Sequence, residues 1–155
     1  MVAKRKADWV PARQEVIWID CNPQAGREMR DRQPFLVLSP RTFNERTSLV
    51  IGLPMTTASY NANNPFAVVA GIAGGAKSGK TSYVLCHQPK SFDWRIREAA
   101  PHPMGNLTDA RFAEVCGVLN QIVQLGRSTA EGEQANWGTV SEVSKTGAVR
   151  CCSCH

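Results

Sequence analysis

The chain has 155 residues, a formal net charge of +5 and a pI near 9.1, enough length for one domain with a real core and a balance that suits an anionic partner. No window approaches the roughly 20 apolar residues of a membrane span, and MVAKRKADWVP has no apolar run behind its basic residues, so it does not read as a signal peptide. Six cysteines without an export signal predict reduced thiols in a cytoplasmic protein, with Cys21, Cys86 and Cys116 as small core residues inside apolar runs.

Residues 1–13 form a basic lead-in whose Trp9 is expected to lie loosely on a domain spanning 14–126. Two apolar runs, Val16–Ile19 and Phe35–Leu38, are bounded by Pro, Gly and Asn and predict strands over Glu15–Cys21 and Phe35–Ser39. Their connection exceeds the two to five residues usual in a hairpin and carries Arg27, Glu28, Arg30, Asp31 and Arg32. A long charged loop on a strand scaffold is a common seat of function. Residues 40–44 predict a turn that drops Phe43 onto the core. Ser48–Thr56 reads as a strand bent or bulged at Gly52 and Pro54. After a polar loop over 57–64, further strands are expected at Pro65–Val69, Ser82–Gln88 and Ser91–Trp94.

The period then changes. From Thr108 to Leu125 the apolar residues Phe112, Val115, Cys116, Val118, Leu119, Ile122 and Val123 fall at helical spacing. Thr108 or Asp109 suits the start and Gly126 the stop, and Gly117 predicts a close packing contact. Many short strands followed by one helix make a mainly β fold, a small curved barrel with a C-terminal helix against it. Residues 127–155 are polar and without period, and read as a flexible extension or a tail of vector or frameshift origin.

Two motifs fail on context. Gly74–Thr81 satisfies G-x-x-x-x-G-K-[ST], but phosphate cradling needs that loop to enter a helix, and Ser82-Tyr83-Val84-Leu85 is a strand former. The bland reading is a Gly-Lys loop between strands that adds positive charge near the site. Cys151-Cys152-Ser153-Cys154-His155 contains C-x-x-C-H, yet no sequence follows to build a haem pocket, and one such pair is at most part of a four-ligand zinc site. No cofactor and no metal site is expected.

The order WIDCNPQAG, EMRDRQP and FLVLSP-x-x-FN, running without a gap from Trp18 to Ser39 and on to Asn44, resembles the MazF/PemK family of toxin endoribonucleases. Two further blocks match: Pro54-Met55-Thr56-Thr57, and Gln88-Pro89-Lys90-Ser91 with Trp94 and Arg95. The chain departs in three places. Gln33 replaces the family's Arg before Pro34, with Arg32 one place earlier. His87 stands where many members have Asp, and Leu85 where one branch has Arg.

The resemblance implies an SH3-like (CcdB/PemK-like) barrel that works as a homodimer and is held by a cognate antitoxin with an acidic tail. It further implies metal-free cleavage of single-stranded RNA by attack of the neighbouring 2′-hydroxyl, giving a 2′,3′-cyclic phosphate and a 5′-hydroxyl. Such a reaction needs a base, an acid and donors for charge on the phosphoryl oxygens. His87 is the expected proton-transfer group, because imidazole titrates near neutrality. Thr56 is expected to hydrogen-bond the scissile phosphate, and Arg32 to supply the guanidinium. RNA contacts are expected from Asn22, Arg27, Glu28, Arg30, Gln33, Thr57, Gln88 and Lys90. Trp18 and Trp94 read as core rather than stacking platforms. The competing readings are a gyrase-binding toxin on the same barrel and a relative that binds RNA or antitoxin without cleaving.

Overall fold

The computed structural model describes residues 8–72 and 79–125. The predicted 127–155 extension, its cysteine-rich end and most of the glycine-rich loop lie outside the described residues. Seven strands and two helices follow in order: β1 (Glu15–Asp20), β2 (Arg32–Val37), α1 (Arg41–Thr47), β3 (Leu49–Thr56), β4 (Ala67–Ile72), β5 (Thr81–Leu85), β6 (Lys90–Asp93), β7 (Ala100–Asn106) and α2 (Asp109–Val123). A 3₁₀ turn, Ser59–Asn63, interrupts the predicted polar loop.

The strands form one antiparallel sheet in the order β4-β5-β3-β2-β1-β7, with β6 on β3. β3 changes partner along its length. Leu49–Gly52 pair with β6, whereas Met55 and Thr56 pair with β5. Pro54 lies at the changeover, where its missing N–H costs no ladder bond on that side. Gly52 is needed for contact rather than for a bulge: a Cβ there would lie 2.1 Å from the Leu36 carbonyl oxygen and 2.5 Å from the Phe35 ring.

Alternation along each strand builds two cores on the two faces of the curled sheet. One gathers Ile17, Ile19, Phe35, Val37, Val50, Phe92 and Trp94. The other gathers Val16, Leu36, Leu53, Met55, Val68, Val84 and Cys86 beneath Phe112 and Val115 of α2. Thr108 caps α2 by accepting from the Arg111 N–H, and the helix ends with Gln124 in the left-handed region, two residues before the expected Gly126.

Several expectations are corrected. Asn44, not Phe43, is the fully buried side chain of α1. Its amide donates to the carbonyls of Pro11 (2.8 Å) and Ser39 (3.2 Å), the Ser39 hydroxyl donates to its Oδ1 (2.5 Å), and the Trp94 indole donates to its carbonyl (2.8 Å). The SP-x-x-FN motif is therefore a structural pin. Trp9 does not lie loosely: it packs on the first core, edge-on to Trp94, and donates to Glu15 (3.0 Å). Trp94 is core as expected, but Trp18 is only half-buried, against His102. Gly117 is exposed and a Cβ there meets nothing within 4 Å, so no close contact requires it. β7 was not anticipated because Pro101, Pro103 and Gly105 break its strand signal, and such residues are tolerated on an edge strand.

Candidate functional site

Arg32 and Gln33 belong to β2, not to the loop before it, and this fixes their directions. Phe35 pairs with Pro54, Leu36 with Leu53 and Val37 with Gly52. The β2–β3 pairing ends at Phe35–Pro54, and alternation from that pair puts Gln33 and Thr56 on the same face, where Thr56 pairs with Tyr83 of β5. Thr56 and Tyr83 line one cleft there, and Gln33 lies on their face outside that lining. Arg32 pairs with Asp20 and falls on the other face.

Two clefts result. The larger, about 680 Å³, is lined by Thr56, Thr57, Ala58, Ser59, Lys80, Thr81 and Tyr83. The Thr56 hydroxyl accepts from the Ala58 N–H at 3.2 Å, which fixes its oxygen and leaves its hydrogen to donate. Lys80 brings a cation to the row of hydroxyls. It comes from the rejected nucleotide-binding motif, whose Thr81 opens β5 and not a helix. Lys80, Ser59 and Tyr83 were not among the expected site residues. Only the positive charge of the Gly-Lys loop hinted at one of them.

The smaller cleft, about 340 Å³, is lined by Asp20, Asn22, Asp31, Arg32, Ile96, Arg97 and Glu98. Arg32 Nη2 donates to the Glu98 carbonyl (3.3 Å), and its Nε is buried without a partner. Arg97 donates to the carbonyls of Asp20 (2.8 Å) and Asn22, while Asn22 Oδ1 accepts from the Asp31 N–H (3.1 Å). Arg32 is therefore half-buried with one backbone acceptor, in a cleft it shares with Asp20, Asp31 and Glu98, on the face opposite Thr56.

His87 occupies a third position. It is exposed in the turn after β5, four residues beyond Tyr83 and so at most about 13 Å of extended strand from the Thr56 row. Its ring lies 5.8 Å from that of Phe66, and its Nε2 lies 3.5 Å from the Gln88 amide nitrogen. His87 is not the lone imidazole of the barrel. His102 on β7 is buried against the Trp18 ring at 4.4 Å, its Nδ1 accepts from the Met104 N–H (3.0 Å), and burial pushes its pKa down.

The proposed trio is thus not gathered within one protomer: Arg32 and Thr56 line different clefts, and His87 stands beyond the far end of β5. The remaining expected contacts divide among these places. Thr57 lies with Thr56, and Asn22 with Arg32. Arg27 and Arg30 are exposed in the β1–β2 loop, and the Arg30 carbonyl accepts from the Gln33 amide (3.0 Å). Glu28 reaches across to Lys90 (2.5 Å), whose hydrogen bond lowers its pKa. Among the described residues no group of three or more His, Cys, Asp or Glu is placed to hold a metal ion, and no helix is long and apolar enough to cross a membrane.

A curled, mainly β sheet carrying one C-terminal helix, with a threonine–lysine cleft at its strand ends, defines a small barrel of the CcdB/PemK-like class. The family model for the PemK-like, MazF-like toxin of type II toxin-antitoxin systems matches residues 12–123, and the chain belongs to that family. The endoribonuclease toxin MazF of Escherichia coli (strain K12) is 36% identical over 91 residues, covering 59% of this chain and 76% of that protein. Endoribonuclease PemK of Escherichia coli is 31% identical over 130 residues, covering 79% and 87%. The crystal structure of MazF from Deinococcus radiodurans aligns with a TM-score of 0.64 at 32% identity, over 76% of this chain and all of that one. A MazE–MazF complex from the same organism aligns with a TM-score of 0.60 at 28% identity, over 77% of this chain and 100% of its own.

Proposed function

We propose that this protein is an endoribonuclease toxin that cuts single-stranded RNA, with the scissile phosphate seated at Thr56. The observation that carries this reading is the Thr56–Tyr83 pair opening into a cleft that also holds Thr57, Ser59 and Lys80. Thr56 donates to one phosphoryl oxygen and Lys80 offsets the charge that grows there during attack. The 2′-hydroxyl oxygen bonds to phosphorus and loses its proton to a base. The bond from phosphorus to the 5′ oxygen breaks, and that oxygen takes a proton from an acid. The products are a 2′,3′-cyclic phosphate and a 5′-hydroxyl, with no metal in either step. Dependence on the 2′-hydroxyl selects RNA over DNA.

Two proton transfers complete the scheme, each typically worth about 10²–10⁴-fold. For Arg32 to bring its guanidinium to the phosphate and His87 to transfer a proton there, a second chain must complete the site, because neither side chain lines the Thr56 cleft within one protomer. A homodimer, cytoplasmic and restrained by an acidic antitoxin segment, is the assembly this reading requires. Relatives named as endoribonucleases support the RNA-cleaving reading, and the MazE–MazF complex from Deinococcus radiodurans supports an antitoxin partner.

The test is incubation with mixed single-stranded RNA in excess EDTA, with product ends mapped. The expected result is cyclic-phosphate ends at preferred sequences, reduced about 10²–10³-fold in rate by Thr56→Ala. Intact RNA from a folded wild-type protein would end the reading. Blocked gyrase supercoiling alongside intact RNA would select the gyrase-binding alternative.

A further inference from the structure

The departure from the family pattern at His87 places a second ring on the surface beside Phe66. Phe66 is 45% exposed although it is a large apolar residue. The two rings are tilted by 44° with centroids 5.8 Å apart, in the range of favourable aromatic pairs. The backbone holds both: the Phe66 carbonyl accepts from the Cys86 N–H (2.9 Å), and the Phe66 N–H donates to Asn64 Oδ1 (3.0 Å). Gln88 adds a polar group that the fold leaves unused. Its Oε1 is buried without a partner, and an acceptor left so costs about 1–3 kcal/mol until something donates to it. Lys90 lies two residues further on, its ammonium held by Glu28.

We infer that Phe66 and His87 form a stacking platform for an unpaired nucleobase of single-stranded RNA. The inference rests on the RNA-cleaving reading and extends it to substrate recognition. Every base offers a π face, so such a platform holds the strand without needing a particular sequence. The platform stands past the end of β5, with His87 at most about 13 Å of extended strand from Tyr83, the partner of Thr56. A strand whose scissile phosphate lies at Thr56 reaches the rings within a few nucleotides. His87 then acts as a binding residue through its ring, a role that replaces the proton transfer implied by the family resemblance.

Binding and cleavage separate the two roles. Binding is measured on 2′-O-methyl RNA, which the protein cannot cleave, and the rate on unmodified RNA at saturation. Phe66→Ala and His87→Ala are expected to weaken binding about five- to hundredfold, as for loss of one stacked base, with the far-ultraviolet spectrum unchanged. Phe66→Tyr and His87→Phe, which keep the rings, are expected to restore it. Binding unchanged in Phe66→Ala would overturn the platform. So would His87→Phe that binds RNA normally yet remains as inactive as His87→Ala, because that result returns the imidazole to proton transfer. Loss of RNA binding that follows loss of the dimer in Phe66→Ala would assign the rings to a subunit or antitoxin contact and would also overturn it. Failure of the nuclease reading shows instead as uncut RNA from the wild-type protein, and the 2′-O-methyl binding series still decides the platform.

Discussion

The two clefts lie on opposite faces of one curled sheet and have opposite chemistry. The Thr56 cleft is lined by hydroxyls and a lysine, a place for an anion. The Arg32 cleft holds two guanidinium groups, but Asp20, Asp31 and Glu98 line it with them, and backbone carbonyls accept once from Arg32 and twice from Arg97. Positive charge counted along the sequence would favour the second as a phosphate site. Position in the fold favours the first, because three carboxylates share the second cleft with its arginines. One step of the β pleat separates Gln33, on the Thr56 face, from Arg32, on the other.

That separation depends on β2 and β3 lying close and in register, and Gly52 sets the approach. Gly52→Ala is expected to have the largest effect, a loss of more than about 3 kcal/mol in urea unfolding. The clash is with the Leu36 backbone oxygen, which no rotamer change relieves. A stable Gly52→Ala protein would mean that the two strands are not pinned there, and the contrast between the clefts would lose its footing.

The next effect sharpens the contrast directly. Gln33→Arg places a guanidinium on the Thr56 face, at the position where the family pattern has one, and a charge-assisted donor is roughly twice as strong as a neutral one. Cleavage is expected to rise roughly tenfold or more, and the same change in a Thr56→Ala background should give little. An unchanged rate would mean that position 33 does not face the scissile phosphate.

The smallest effect is on pH dependence, and it concerns the flank of the sheet nearest Arg32. Burial holds His102 below the ordinary imidazole value of 6.5, so the unfolded chain binds the proton first. Its contribution is complete above about pH 6.5 and falls as the pH drops from there toward the folded value. Burial raises the Cys21 and Cys86 thiols to about 11, so their contribution is complete below pH 9 and is lost as the pH climbs from 9 through about 11. Denaturant midpoints measured across pH in wild type and His102→Gln check the acid limb, which should flatten in the variant.

Much of this was legible because local signals were strong. The strands at Val16–Ile19 and Phe35–Leu38, the helical period from Phe112 and the run of family motifs sufficed for the fold class and the family. Illegible features each came from a contact distant in sequence. β7 carries two prolines and exists as an edge on β1. Asn44 is buried because Pro11, Ser39 and Trp94 converge on it. Lys80 joins Thr56 because β5 pairs with the end of β3.

By itself, then, the sequence determined which segments form strands, which residue ends the family's arginine motif as glutamine, and which family the chain joins. These follow from local periodicity and residue order. Only the tertiary structure decided that Gln33 rather than Arg32 shares a face with Thr56, and that His87 stands with Phe66 instead of with either. Side-chain direction alternates with every residue, and which strand lies next door is set by pairing across the sheet, so neither is written in a motif read along the chain.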